Sequence, residues 1–195
     1  GNGAVAQVGE EVHWVPGKVG SFTMEVVDSD VAASKEVSVN HGAAVSTQLI
    51  ASLPRLSAGS QVALVHEATD AFGNVWQVNG TLNKTSNDQS TVEIFSSYAT
   101  FTPKLTENIR FSATYFDNST GVLHQCEYQE MVEPGRLAFI LLPDSGTEIP
   151  ADSYLQLDPQ FTDSYGNTIS FVAVNWTIDG VDSTLDLLMS NGKWY

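Results

Sequence analysis

Hydrophobic residues along this chain alternate with polar ones instead of recurring at intervals of three and four. Phe22, Met24 and Val26 alternate with Thr23 and Glu25, and Val37 and Val39 flank Ser38. Val62, Leu64 and His66 alternate with Ala63, Val65 and Glu67. Val92 and Ile94 flank Glu93, and Ile109, Phe111, Ala113 and Tyr115 alternate with Arg110, Ser112 and Thr114. Leu155 and Leu157 flank Gln156, as Leu185 and Leu187 flank Asp186. A period of two over short segments predicts half-buried antiparallel strands. Between the segments lies turn chemistry, including Pro16-Gly17, Phe72-Gly73-Asn74, Asn79-Gly80, Asp117-Asn118, Pro134-Gly135 and Asp144-Ser145-Gly146. Tyr165-Gly166-Asn167, Asp179-Gly180 and Asn191-Gly192 continue the series. Each supplies a Gly, Pro or Asn where the chain must reverse. The expectation is an all-β chain of antiparallel sandwiches.

Self-similarity sharpens that expectation. Asp70-Ala71-Phe72-Gly73-Asn74 and Asp163-Ser164-Tyr165-Gly166-Asn167 share the pattern Asp-small-aromatic-Gly-Asn, 93 positions apart. The same offset pairs Gly42 with Gly135, and Ser90-Thr91-Val92-Glu93-Ile94 with Ser183-Thr184-Leu185-Asp186-Leu187. Trp76 and Gly80 match Trp176 and Gly180 at an offset of 100, which implies a longer hairpin in the second copy. Trp14-Val15-Pro16 matches Phe101-Thr102-Pro103. A repeat of this length is the size of one small sandwich. Residues 1–40 then read as the C-terminal strands of one repeat, residues 41–133 as a complete repeat, and residues 134–195 as the N-terminal part of a further one. Part of a sandwich exposes strand edges and an apolar face. Residues 1–40 are therefore expected to complete 134–195 within the chain, or another copy by strand exchange. The pattern fits equally a chain of two ordinary sandwiches with other boundaries.

Composition narrows the partners. Of 195 residues, 8 are Lys or Arg and 23 are Asp or Glu, a net charge of −15. This balance opposes nucleic-acid binding, which needs basic surface, and opposes adsorption to anionic membranes. No apolar run approaches the ~18–20 residues of a membrane helix, so no membrane insertion is expected in this segment. Cys126 is the single cysteine, so no internal disulfide forms. Asn79, Asn83, Asn118 and Asn175 each begin an N-glycosylation sequon, which favours an exported chain.

The Asp-x-aromatic-Gly-Asn turn followed by Trp-x-x-x-Gly resembles the immunoglobulin-like (Ig-like) repeats of prokaryotic surface proteins. These are the bacterial Ig-like, invasin- and intimin-type modules and similar archaeal envelope arrays. Asp70, Phe72, Gly73, Asn74, Trp76 and Gly80 carry the resemblance once, and Asp163, Tyr165, Gly166, Asn167, Trp176 and Gly180 carry it again. The resemblance implies tandem Ig-like antiparallel β-sandwiches, located at the cell surface or outside the cell. It also implies a non-enzymatic structural or adhesive role, with neighbouring repeats, a glycan or a surface protein as partners.

Candidate chemistry is sparse. Asp70, Asn74, Asp163 and Asn167 offer hard oxygen ligands suited to Ca²⁺. Turn formation accounts for the same residues: Asp caps the turn, Gly takes a positive φ and Asn tolerates the left-handed region. His13, His41, His66 and His124 show no zinc spacing. No Gly-x-Ser-x-Gly elbow or phosphate loop occurs, and no other cofactor or catalytic residue is indicated. Trp14, Trp76, Trp176 and Trp194 form either a sugar-stacking platform, as in a carbohydrate-binding module of a secreted protein, or core plugs. Their equivalence across repeats favours the plugs.

Overall fold

A computed structural model describes residues 3–9, 11–142, 148, 150, 159–170, 172–182, 189–190 and 193–194. The strands expected around Leu155 and Leu185, and the turns at Asp144–Gly146 and Asn191-Gly192, lie outside these residues. Among the described residues all regular structure is β. Two hairpins come first: β1 (Ala4–Val8) with β2 (Glu11–Val15), and β3 (Gly20–Asp28) with β4 (Val31–Val39). The central part holds β5 (Ala44–Ala51), β6 (Leu56–Ser57), β7 (Val62–Asp70), β8 (Val75–Gln77) and β9 (Thr81–Lys84). It continues with β10 (Thr91–Ile94), β11 (Tyr98–Thr102), β12 (Asn108–Asp117) and β13 (Val122–Glu133). After these come β14 (Leu137–Leu141), β15 (Gln160–Asp163), β16 (Thr177–Ile178), β17 (Val181–Asp182), β18 (Met189–Ser190) and β19 (Lys193–Trp194).

The central strands form a two-sheet sandwich. One sheet has the order β10-β11-β7-β5, with β8 added to β7, and the other has the order β6-β13-β12-β9. The chain changes sheets at Leu53-Pro54-Arg55, and β6 then pairs parallel to β13. A proline without an N–H ends a ladder there at little cost. The alternation read in the sequence places the inward faces: Val62, Leu64, His66, Ala68 and Asp70 of β7 are buried, and so are Ile109, Phe111 and Ala113 of β12. The Phe101 and Phe111 rings bridge the two sheets at 5.1 Å. Burial of such a ring contributes roughly 2–3 kcal/mol, so this pair anchors the core.

Two hairpins share one register. Hairpin β1–β2 has the register Ala4↔Val15 and Val5↔Trp14, and hairpin β10–β11 has Thr91↔Thr102 and Val92↔Phe101. Every partner in the second pair lies 87 positions after its counterpart in the first. Asp179 and Gly180 close β16–β17 with φ of 52° and 79°, the backbone of a tight hairpin turn. Among the described residues β1–β2 and β3–β4 pair only within themselves, and Met24, Val26, Val27 and Val31 are exposed. Strand β14 pairs β15, and Leu137, Phe139, Ile140 and Leu141 are exposed. Among those residues no ladder joins 4–39 to 137–194.

One inward residue is out of place in an apolar core. His66 is 0% exposed, and neither ring nitrogen meets a hydrogen-bond partner among the described residues. Burial lowers its pKa from the ordinary 6.5, because the cation cannot be solvated there. Below about pH 6.5 the unfolded chain binds a proton that the folded chain refuses, so stability falls as the pH falls. Urea unfolding at pH 7.5 and pH 5.5 is expected to show that loss, and His66→Leu is expected to reduce it. An equal pH slope in the variant would show that His66 is not its source.

Candidate functional site: two Asp/Asn turns

The motif that carries the repeat forms the same structure twice. Strand β7 ends at Asp70, a residue 3% exposed. Oδ1 accepts the Phe72 and Asn74 N–H groups, both at 2.9 Å. Oδ2 accepts the Gly42 N–H and the Asn74 side-chain amide, also at 2.9 Å. Strand β15 ends at Asp163, 1% exposed. Its Oδ1 accepts the Tyr165 and Asn167 N–H groups at 2.8 and 2.9 Å. Its Oδ2 accepts the Gly135 N–H and the Asn167 amide, both at 2.7 Å. The turns are closed by Gly73 at φ 80° and Gly166 at φ 84°. A side chain is strained in that region.

Each turn then reaches a third segment. The Asn74 amide donates to the Gly17 carbonyl at 3.5 Å, and the Val19 N–H donates to Asn74 Oδ1 at 3.3 Å. The Asn167 amide donates to the Lys104 carbonyl at 2.7 Å, and the Thr106 N–H donates to Asn167 Oδ1 at 3.1 Å. Gly17 follows Pro16, and Lys104 follows Pro103. Each turn therefore ties together the strand it ends, the segment at Gly42 or Gly135, and an earlier connection, β2–β3 in one case and β11–β12 in the other. The aromatic residue lies over the joint. Tyr165 covers Gly59, where a Cβ would stand 3.0 Å from the ring, and Phe72 faces Gly17 at 3.7 Å from such a Cβ.

A second carboxylate grips the first linker. Asp117, at the end of β12, accepts the Ala44 N–H at 2.9 Å through Oδ2. Its Oδ1 accepts the Ser119 N–H at 2.8 Å and the Ser119 hydroxyl at 2.7 Å. The linker from Gly42 to Ala44 is thus held by one carboxylate from each sheet. His41, at its start, stacks on Trp76 at 3.8 Å. The sequence marked Asp117 only as a turn residue. Its one further signal is the Ser119 that follows it.

The electrostatics follow from the bonds. Burial would raise the pKa of Asp70. Hydrogen bonds from the Asn74 side chain and from the Gly42, Asn74 and Phe72 N–H groups outweigh it and bring the value to about 2. Asp163 is lowered by the corresponding set of donors, again against the opposing effect of burial. Asp117 is brought to about 2 by the Ser119 hydroxyl first, then by the Ala44 and Ser119 N–H groups. Donor hydrogens surround these oxygens, whereas a cation shell needs converging oxygens. The geometry at Asp70, Asn74, Asp163 and Asn167 is that of a hydrogen-bonded anchor. Among the described residues no three His, Cys, Asp or Glu converge for a metal. Burial pushes the Cys126 thiol up, away from the reactive thiolate. Trp14, Trp76 and Trp176 are each half-buried, so none presents a fully open face. Asn79, Asn83, Asn118 and Asn175 are all exposed.

No family model matches the chain, and no curated protein matches it. Among solved structures, the broadly conserved Escherichia coli adhesin FdeC is similar at 17% identity and a TM-score of 0.48, over 80% of this chain. Domains 4–9 of the surface-layer protein SbsC match at 17% identity and a TM-score of 0.32, over 94% of this chain. A second SbsC S-layer structure matches at 15% identity and a TM-score of 0.31. This chain spans 54% of the FdeC chain and 31% and 21% of the two SbsC chains. These structural neighbours are surface proteins.

Two outcomes test the anchors. Gly73→Val and Gly166→Val each place a β-branched residue at positive φ, and each is expected to cost roughly 1–2 kcal/mol in thermal unfolding. Unchanged melting in both would overturn the turn geometry. Asp70 and Asp117 have folded values below the ordinary 3.8. Their contribution is therefore present above about pH 4 and is lost as the pH falls through about 2. Asp70→Asn with Asp117→Asn is expected to flatten an acid unfolding curve in that window and to lower stability at pH 7.

Proposed function

We propose that this chain is a non-enzymatic segment of a cell-surface protein. It holds successive Ig-like sandwiches at a fixed spacing and orientation, as a stalk or as the support of an adhesive surface. The observation that carries the reading is the repetition of the Asp/Asn anchor, bond for bond, at two joints. A joint built only from a flexible linker would leave relative domain motion as the default. A polar anchor holding three segments instead sets a direction.

The strand order supports the Ig-like assignment of the central sandwich. Taking β5, β7, β9, β10, β11, β12 and β13 as strands A to G, one sheet holds A, B, E and D and the other C, F and G. That is the arrangement of the constant-type Ig domain. In this reading residues 1–40 bring the closing strands of one repeat, 41–133 form a whole one, and 134–195 begin the next. The matching registers of β1–β2 and β10–β11 favour that division. The net charge of −15 and the four exposed sequons suit a location outside the cell. The partners are the neighbouring repeats.

Small-angle scattering of the full chain tests the proposal. The expected result is one extended particle shape for the wild type and a broader, more flexible ensemble for the double variant Asn74→Ala, Asn167→Ala. Circular dichroism checks that the sandwich remains folded. A wild type as flexible as the variant would overturn the stalk.

A further inference from the structure

We infer that the Asn side chain of each anchor is a docking site for main-chain atoms alone. Its partner is the extended segment that follows an aromatic-x-Pro strand end, whatever side chains that segment carries. The inference rests on the stacked-repeat reading and names what the joint recognises.

The two docked segments make the case. In both, the Asn amide donates to the carbonyl directly after proline, and its oxygen accepts the N–H two residues further on. At the first joint these atoms belong to Gly17 and Val19, and at the second to Lys104 and Thr106. The segments Gly17-Lys18-Val19 and Lys104-Leu105-Thr106 share no residue at any matched position. A small residue stands opposite a long cation, a cation opposite an apolar residue, and a branched apolar residue opposite a hydroxyl. What they share is the proline before them and the aromatic two residues before that, Trp14 in one and Phe101 in the other. Proline fixes its own φ and so sets the path of the next peptide group.

The chemistry requires asparagine on the other side. A carboxamide offers one acceptor and two donor hydrogens, which complement one C=O and one N–H. One donor hydrogen is already held by Asp70 Oδ2 or Asp163 Oδ2, leaving the other for the partner carbonyl. The orientation of the amide is therefore fixed by its own repeat before the neighbouring segment arrives. An aspartate in its place would have no donor and would face a second carboxylate. A leucine would leave the partner N–H and C=O without bonds. A recognition element that touches only backbone makes repeats interchangeable: any repeat with this strand exit fits any repeat with this turn.

Amide hydrogen exchange by NMR on the full chain tests this directly. The Val19 and Thr106 amides are expected to be protected in the wild type. Asn74→Ala is expected to speed Val19 exchange roughly tenfold, the effect of one lost hydrogen bond. The Gly42 amide, held by Asp70, serves as the control and is expected to stay protected. The exchanged segment G17K/K18L/V19T is then expected to keep the protection of the amide at position 19. Protection lost in that variant, with Gly42 still protected, would show side-chain recognition and overturn the inference. Unprotected Val19 and Thr106 in the wild type would overturn it outright. If Asn74→Ala also exposes Gly42, Val19→Pro takes its place. It leaves the anchor intact, removes the one N–H, and is expected to shift the Asn74 side-chain amide resonances. No shift would again overturn the inference. Free exchange in a particle that still scatters as a rod would sink the docking and leave the stalk. Protected amides in a bending particle would do the reverse.

Discussion

A buried carboxylate that accepts four N–H hydrogens is the interaction on which each Asp/Asn turn and its contacts depend. Asp70 and Asp163 are held this way, and each is the last residue of a strand, β7 and β15. A charge removed from water is costly unless its lone pairs are filled. Here they are filled by the turn, by the linker and by the Asn amide, and hydrogen bonds to an ionised acceptor are the strong kind. The cost of burying the charge is thereby turned into a demand for one geometry. If any donor moves away, the carboxylate is left exposed to that cost. The turn, the linker and the Asn are in this sense a single unit, and the unit opens or closes together.

The division of labour between apolar and polar contacts follows. The Phe101–Phe111 pair and its neighbours stabilise the central sandwich, and burial of this kind has no preferred direction. Relative orientation needs directional bonds, which weaken steeply when bent. The Asp/Asn anchors supply such bonds with two short side chains and a handful of main-chain groups.

Part of this was legible in the sequence. The alternation in β7 and β12 placed the core, because a half-buried strand leaves a period of two in its side chains. The Gly73 and Gly166 turns were legible because positive φ selects glycine. The reach of the turns was not. Asn74 bonds a residue 57 positions back and Asn167 one 63 positions back. Gly17 and Lys104 offer only backbone to these bonds, so no residue type marks them. Asp117 was passed over because one acidic residue at a turn is ordinary until the fold brings Ala44 to it. Periodicity also predicts that a face is apolar without saying what covers it. Met24, Val26 and Val31 alternate as core residues do and are exposed among the described residues.

The two anchors use one set of bonds with unequal tightness, and the surroundings explain the difference. Asn167 is buried and its outward bonds are 2.7 and 3.1 Å, whereas Asn74 is half-buried with bonds of 3.5 and 3.3 Å. Tyr165 is 40% exposed against 60% for Phe72. It settles on Gly59, where the missing side chain lets the ring approach, and Gly59 is itself pinned to the Pro103 carbonyl at 2.8 Å. The second amide, on the buried Asn167, is thereby kept from water better than the first. A hydrogen bond shielded in this way meets less competition from solvent than an open one. The motif supplies the bonds, and the burial of the asparagine decides how firmly they hold.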